Sequence, residues 1–186
     1  MGFSYELAIL GAAAEAASFF LEAAGRAAAL RGLEALAGTG DAAGIPLRTL
    51  LLREPGGEAR PTGIPRLAVA VGPDAARACP ALLPREGAGL LYARTEAEVP
   101  LLLDVQQALE ASGRKGKVLP AAPCGAAAPF LLGGAMSALR AADLFDVEEL
   151  AQAVACCDPR AAARNLADLE RGLSAPGAHR CRAGQD

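Results

Sequence analysis

The sequence predicts one α/β domain, a three-layer α/β/α sandwich with a mostly parallel sheet and a helical C-terminal third. Short apolar runs alternate with helical stretches over the first two thirds of the chain, which favours a parallel sheet covered by helices on both faces. From Ala126 onward the pattern is helical only. With 186 residues and 53% hydrophobic content, the chain is long enough to bury one large core.

The predicted strands are short. The clearest is "RLAVAV" at 66–71, a continuous apolar run typical of a strand buried on both faces. The others are predicted at 5–10, 47–53, 90–93 and 117–121, with "LEALA" at 33–37 as a weaker candidate. Gly, Asp and Pro content predicts a loop at 38–46 and a turn-rich excursion at 54–65. We expect the strands near 6–10, 48–53, 66–71 and 89–93 to run parallel.

The predicted helices carry recognisable end signals. They lie at 13–30, after Pro73, and at 104–113, 126–142, 146–155 and 158–172. Gly32 and Gly113 end two of them, while Asp146 with Glu149 predicts a capping box. The last helix is predicted to have Asp158 as N-cap, Pro159 at N1 and Gly172 just past its end. Gly133 and Gly134, inside the apolar helix 126–142, indicate close backbone packing. We expect 1–172 to form the domain and 173–186 a mobile tail.

Composition excludes several classes of protein. The net charge of −3 and the pI of about 5.3 give no support for a nucleic-acid or membrane-surface binder. No apolar run reaches the roughly 18–20 residues that span a bilayer. The segment "MGFSYELAIL" lacks the basic start of a secretory signal. We therefore expect a cytoplasmic protein.

Side chains that commonly perform catalysis are sparse. The one histidine, His179, lies in the predicted tail and is expected to be solvated and inert. Five cysteines without a C-x-x-C spacing argue against a zinc site, a disulfide framework or an iron–sulfur cluster. Cys156 and Cys157 lie at a helix end, and we predict that they bind no metal and form no structural disulfide. The cysteines are expected to be small buried hydrophobes. No catalytic residue is assigned.

The most informative stretch is "LAILGAAAEAASFFLEAA", a strand followed by one glycine and a helix. Such a junction presents free N–H groups to an anion. Glycines there let a pyrophosphate approach closely, but alanine methyl groups narrow that approach and Glu15 adds negative charge. The candidate cofactor-binding positions are Gly11, Ala12, Ala13, Ala14, Glu15 and Ala16. From the residues alone, a plain strand-to-helix turn is favoured over a phosphate site, and Ser18 is expected to be a surface hydroxyl.

In order and spacing, residues 5–172 resemble the gamma subunit or domain of 2-oxoacid:acceptor oxidoreductases, which includes the pyruvate/ketoisovalerate and indolepyruvate enzymes. "GAAAEA" stands where that family has G-x-G-G-Q-G. "PRLAVAVGPDAARACPALL" is similar to its next strand and helix, "PREGAGLLYAR" to its kpgGlliyn, and "APFLLGGAMSAL" to its N-m-v-m-L-G segment. "AARNLADLERG" is similar to the closing elNlkAfeaG.

The departures fall at positions that the resemblance would place near the cofactor face or the subunit contacts. Only Gly11 remains of the glycine loop and Glu15 replaces its glutamine, Ala128 replaces an asparagine, and Arg48 and Arg53 are the nearest candidates for a missing R-G-G. The resemblance thus implies a retained scaffold with an eroded ligand loop.

The resemblance implies an accessory subunit that is not catalytic alone. Catalytic alpha- and beta-type partner subunits would carry thiamine diphosphate and 4Fe–4S clusters and decarboxylate a 2-oxoacid such as pyruvate or indolepyruvate. Coenzyme A and a homodimer stay open, whereas nucleic acid and membrane are not expected as partners. Two alternatives are a degenerate paralogue acting as an interaction module and a stand-alone nucleotide-binding α/β protein.

Overall fold

The computed structural model describes residues 2–119 and 127–178, which form a six-stranded mixed sheet flanked by helices. The strands are β1 (Ser4–Leu10), β2 (Glu34–Ala42), β3 (Ile45–Arg53), β4 (Leu67–Val71), β5 (Ala88–Tyr92) and β6 (Lys115–Leu119). The helices are α1 (Ala14–Leu30), α2 (Pro73–Leu82), α3 (Val99–Ala111), α4 (Ala128–Ala141), α5 (Val147–Cys157) and α6 (Ala162–Ser174).

The sheet has the order β2-β3-β1-β4-β5-β6. β1, β4, β5 and β6 are parallel, so the predicted three-layer α/β architecture with a mostly parallel sheet is confirmed. On one side of the sheet lie α1 and α4, with α5 and α6 packed against these two helices, and on the other side lie α2 and α3. The helical C-terminal third therefore covers one face only.

Residues 34–53 differ from the prediction. They form an antiparallel hairpin, and β3 also pairs antiparallel with β1, so the predicted parallel direction of 48–53 and the predicted loop at 38–46 are both wrong. The turn is Ala43–Gly44, with φ of 53° and 83°, and Gly44 N donates to the Asp41 carboxylate at 2.8 Å. Two consecutive positive φ values define a type I′ turn, where Asn or Asp usually precedes Gly. Because position 43 is alanine, the sequence lacks the Asn-Gly or Asp-Gly pair that would have predicted this hairpin turn.

The buried carboxylate of Glu6 holds the turn-rich segment 54–65, which follows the hairpin, by hydrogen bonds. Glu6, inside β1, accepts hydrogen bonds from Thr62 Oγ1 at 2.6 Å, from Thr62 N at 3.1 Å and from Gly63 N at 3.1 Å. These three donors satisfy a charge that would otherwise be costly to bury. The predicted turn-rich segment thus lies against the edge from which β1 and β4 begin.

The ends of the C-terminal helices match the prediction in part. Asp146 accepts from Glu149 N at 2.9 Å and the Glu149 side chain accepts from Asp146 N at 3.1 Å, which confirms the capping box. Asp158 instead caps a 3₁₀ turn ahead of α6, accepting from Ala161 N at 3.3 Å. The predicted helix end at Gly172 is wrong, because α6 continues to Ser174.

Gly172 has a packing role instead. A Cβ added to Gly172 would lie 3.0 Å from Gly133 Cα, and one added to Gly133 would lie 2.9 Å from Gly172 Cα and 2.8 Å from Leu173 N. α4 and α6 therefore cross backbone against backbone. The close packing predicted from Gly133 and Gly134 is confirmed, since a Cβ on Gly134 would overlap the Tyr92 hydroxyl.

Tyr92 connects the sheet to α4. Its hydroxyl donates to Leu131 O at 3.0 Å, and its ring meets Phe130 edge-on, with the centroids 5.6 Å apart. Burial raises the pKa of Tyr92 well above its ordinary value. The hydroxyl therefore stays a neutral donor to the helix backbone over the physiological pH range.

The predicted tail begins with ordered residues. Ser174 belongs to α6, and Ala178 N donates to Val118 O on the edge strand β6 at 2.8 Å. Residues 179–186 lie outside the described residues, so their predicted mobility stays a prediction. Within the described ranges, no helix combines the length and the apolar character needed to cross a bilayer.

Substitution of Gly172 by alanine tests the helix crossing. We expect Gly172→Ala to lower the free energy of unfolding by about 1–3 kcal/mol, because the new methyl group overpacks a closed contact. Gly25→Ala is the matched control: its Cβ would lie 3.6 Å from Ala35 Cβ, an ordinary contact. Helix propensity then predicts a gain of up to about 1 kcal/mol. Equal effects in urea denaturation would contradict the packing role of Gly172.

Candidate functional site

The candidate site is the region, termed the crevice, where the parallel strands β1 and β4 end side by side. α1, which follows β1, packs on one face of the sheet, whereas α2, which follows β4, packs on the other. Strand order therefore reverses direction between these two parallel neighbours. In open α/β sheets, ligands bind outside the carboxyl ends of strands at such a switch point.

Gly11 closes the first strand-to-helix junction. Its φ is +79°, and an added Cβ would lie 2.6 Å from Ala75 Cβ and overlap Val71 O. Both the left-handed backbone and the close approach to the end of β4 exclude a side chain here. Glycine at this position is thus required by the fold, whether or not a ligand binds.

The other predicted site positions divide into two groups. Ala12 and Ala16 are partly buried and pack against the core on the α1 side of the sheet. Ala13, Ala14 and Glu15 are exposed at the helix start, where Ala13 is the N-cap without a side-chain hydrogen bond. Of the predicted positions with a side chain, these three are the most exposed to a molecule that approached the helix N-terminus.

A second junction completes the crevice, and sequence reasoning missed it. Gly72 has a φ of +88°, and an added Cβ would lie 3.0 Å from both Cζ and Nε of Arg94. The Arg94 guanidinium therefore covers the Gly72 backbone between the ends of β4 and β5. The signal in the sequence was Arg94 two residues after a strand, with Glu98 four residues later.

Glu98 holds Arg94 in place. It accepts from Arg94 N at 2.8 Å, from Nη2 at 3.0 Å and from Nε at 3.1 Å. The Glu98 side chain is only 16% exposed, against 57% for Arg94. Burial alone would raise the pKa of Glu98, but the hydrogen bonds and the positive charge of Arg94 outweigh it, so the pKa is lowered.

The two arginines singled out from the sequence lie at opposite ends of β3. Arg48 Nη1 donates to Ser18 Oγ on α1, so Ser18 has a partner and Arg48 borders the first junction. Arg53 instead bonds Glu34 at 3.0 Å and Ala59 O at 2.7 Å, next to the excursion. Of the two, only Arg48 lies near the crevice.

The remaining predicted residues do not join the site. Cys79 is buried in the α2 side of the core, Cys157 is half-buried, and Cys156 is exposed, which contradicts the expectation of a buried thiol there. All three are free thiols, and burial raises the pKa of Cys79 to about 12. His179, Cys124 and Cys181 lie outside the described residues. In the part of the chain that the structure describes, no three His, Cys, Asp or Glu side chains are grouped as a metal site would require.

The two junctions of the crevice present different groups. One junction presents alanine methyl groups and a carboxylate, and the other presents an arginine already paired with the half-buried carboxylate of Glu98. A phosphate at the first helix N-terminus would meet the negative charge of Glu15. Arg94 is the cationic group best placed to contact a molecule over the crevice.

The Arg94–Glu98 pair can be tested by titration. We expect the carboxyl pKa of Glu98, followed by NMR, to lie below the ordinary value of about 4.3 and to rise in Arg94→Gln. Since the folded-state pKa is lowered, the stability contributed by ionised Glu98 is present above the ordinary pKa and is lost as pH falls through the lowered one. Arg77→Gln, which removes an exposed pair with Asp74, is the control and should leave the pKa of Glu98 unchanged. An unaltered pKa in Arg94→Gln would refute the coupling.

No protein-family model and no curated protein sequence matches this chain. Solved structures do resemble it. The gamma subunit of keto/oxoacid ferredoxin oxidoreductase from Geobacter sulfurreducens aligns with a TM-score of 0.61 at 13% identity, over 91% of this chain and 96% of that one. The pyruvate oxidoreductase subunit PORC from Thermotoga maritima aligns with a TM-score of 0.52 at 20% identity, over 88% and 96%.

A third similar structure is a longer protein. The 2-oxoglutarate:ferredoxin oxidoreductase from Magnetococcus marinus aligns with a TM-score of 0.57 at 14% identity, over 93% of this chain and 30% of that one. That structure has 2-oxoglutarate, coenzyme A and succinyl-CoA bound. At these identities the likeness concerns the fold. The resemblance seen in the sequence is thus confirmed at that level: the chain has the fold of the gamma subunits of 2-oxoacid:ferredoxin oxidoreductases.

Proposed function

We propose that this chain is an accessory gamma-like subunit of a 2-oxoacid:acceptor oxidoreductase that depends on thiamine diphosphate and iron–sulfur clusters. The observation that carries the proposal is the shared fold, which extends over 91% of this chain and 96% of a gamma subunit. The chain would contribute contacts with partner subunits, and those partners would hold the cofactors and oxidise the substrate.

The described residues fit such an accessory role. At the crevice Glu98 is paired with Arg94, and Arg48 donates to the Ser18 hydroxyl, while Glu15 is exposed at the start of α1. The guanidinium group of Arg94 is exposed although it is paired with Glu98, so it is suited to contact a carboxylate of a neighbouring subunit. A cytoplasmic location and a complex with catalytic subunits follow from the same proposal.

The first junction fits coenzyme A or a dinucleotide poorly. A pyrophosphate is bound where glycines allow the backbone N–H groups to approach it. Here the exposed positions at the start of α1 are Ala13, Ala14 and Glu15, and the glutamate carries the same charge as a phosphate. We therefore propose that this loop has lost cofactor binding while the strand-to-helix turn is kept.

The alternative is a degenerate paralogue that uses the fold as an interaction module without a catalytic partner. The same loss of glycines supports it, because a subunit without an enzyme partner would be under no demand for a ligand loop. A stand-alone nucleotide-binding protein is disfavoured by the composition of that loop.

Purification of the tagged full chain from its native host separates these functions. We expect it to bring down subunits that contain thiamine diphosphate and iron–sulfur clusters, and the complex should reduce a viologen dye when given a 2-oxoacid. Reconstitution without this chain should lower that activity. If the purified material holds no thiamine diphosphate and no 2-oxoacid-dependent activity, the subunit role is refuted and the interaction module is favoured.

The loop is tested by calorimetric titration of the full chain with coenzyme A, NAD and ATP. We expect the wild type to bind none of them tightly. A variant with glycine at positions 12, 13, 14 and 16 and with Glu15→Gln should gain affinity, since both the methyl groups and the charge are removed.

Glu15→Gln alone is the matched control, because it removes the charge and leaves the methyl groups. Thermal melts of each variant establish that the chain is folded. Micromolar or tighter binding by the wild type would overturn the interpretation of an eroded loop.

A further inference from the structure

A cavity of about 240 Å³ lies between α4 and the sheet, away from the crevice. Its floor is apolar and includes Leu67 and Leu90, and its roof is the small-residue side of α4, including Ala135 and Ala138. A cavity of roughly 150 Å³ with apolar walls is sufficient to bind benzene. The space is therefore large enough for one aromatic ring with a short substituent.

Two ammonium groups border this cavity. Lys115 and Lys117, the only lysines of the chain, both line it from the edge strand β6. Residues two apart on a strand share a face. Gly116 between them faces the other side, because a Cβ there would lie 3.1 Å from Gln106 Cγ on α3. Both lysines thus point to the α4 side of the sheet.

Neither lysine is neutralised by a neighbour in the described part of the chain. None of the ion pairs there involves Lys115 or Lys117. Glu86 shares a neighbouring cleft with Lys115, where Arg66 adds a further cation. The border of the cavity is therefore positive in a chain whose net charge is −3.

Two further groups shape this border. The exposed Ser137 on α4 lines the cavity and can donate a hydrogen bond. The stem of Lys117 passes near Gly177, where an added Cβ would lie 3.5 Å from Lys117 Cε, an ordinary contact distance.

We propose that this cavity binds a small aromatic or branched carboxylic acid. The apolar body lies on Leu67 and Leu90 beneath α4, and the carboxylate pairs with Lys115 and Lys117 and accepts from Ser137. A charge-assisted hydrogen bond is stronger than a neutral one, so the acid is preferred over its amide. This site is separate from the crevice and does not depend on the proposed subunit role.

Titration of the full chain with phenylacetate tests the proposal, by calorimetry and by ¹H–¹⁵N NMR. We expect saturable binding, with shift changes grouped around β6 and α4. Phenylacetamide, which keeps the shape without the charge, and acetate, which keeps the charge without the ring, should each bind at least tenfold more weakly. Comparable binding of all three would overturn the proposal, as would no saturable binding of phenylacetate at millimolar concentration.

Variants locate the site. Lys115→Gln with Lys117→Gln should weaken phenylacetate binding at least tenfold. Arg60→Gln with Arg85→Gln removes the same charge from exposed positions that do not line the cavity and should leave binding unchanged. Ala141→Phe, at an exposed position that lines the cavity, should block entry without altering the lysines. Equal binding by the lysine variant and the arginine variant would refute the assignment.

Discussion

The packing of α4 is the constraint on which the C-terminal half of the molecule depends. One side of this helix meets the backbone of α6 through Gly133 and Gly172, and another lies against the sheet through Gly134 and Tyr92. Helices normally pack 8–10 Å apart because side chains separate them. Because Gly133 and Gly172 have no side chains, α6 lies close to α4. α5 packs between α6 and α1 on the same face.

Local patterns determine much of what the sequence predicts correctly. The apolar run of β4 and the capping box of Asp146 and Glu149 are specified by neighbouring residues, and the structure has both. The direction of β3 is not a local property, since it depends on which strand lies beside it. Gly172 is a similar case: a glycine near a helix end and a glycine at a helix crossing are identical in the sequence, and only the partner helix distinguishes them.

Of the two junctions that form the crevice, the sequence predicted only the one at Gly11. The junction at Gly11 follows from a strand, a glycine and a helix in sequence, so its position could be derived. The cover that Arg94 makes over Gly72 depends on β5 lying next to β4, which is a property of the sheet order. Both junctions are specified mainly through the backbone, by positive φ and close approach. Such constraints allow wide variation of side chains, which is consistent with a shared fold at 13–20% identity.

The central position of β1 has a consequence for how the chain folds. β1 is synthesised before β2 to β6, and its residues from Tyr5 to Leu10 are all buried in the finished sheet. Its two neighbours are β3, completed at Arg53, and β4, completed at Val71. On the ribosome β1 has no partner until the β2–β3 hairpin is complete, and its second edge stays open until β4 has been made. An exposed strand of this kind is prone to aggregate, so β1 needs protection by a chaperone until β4 has been made.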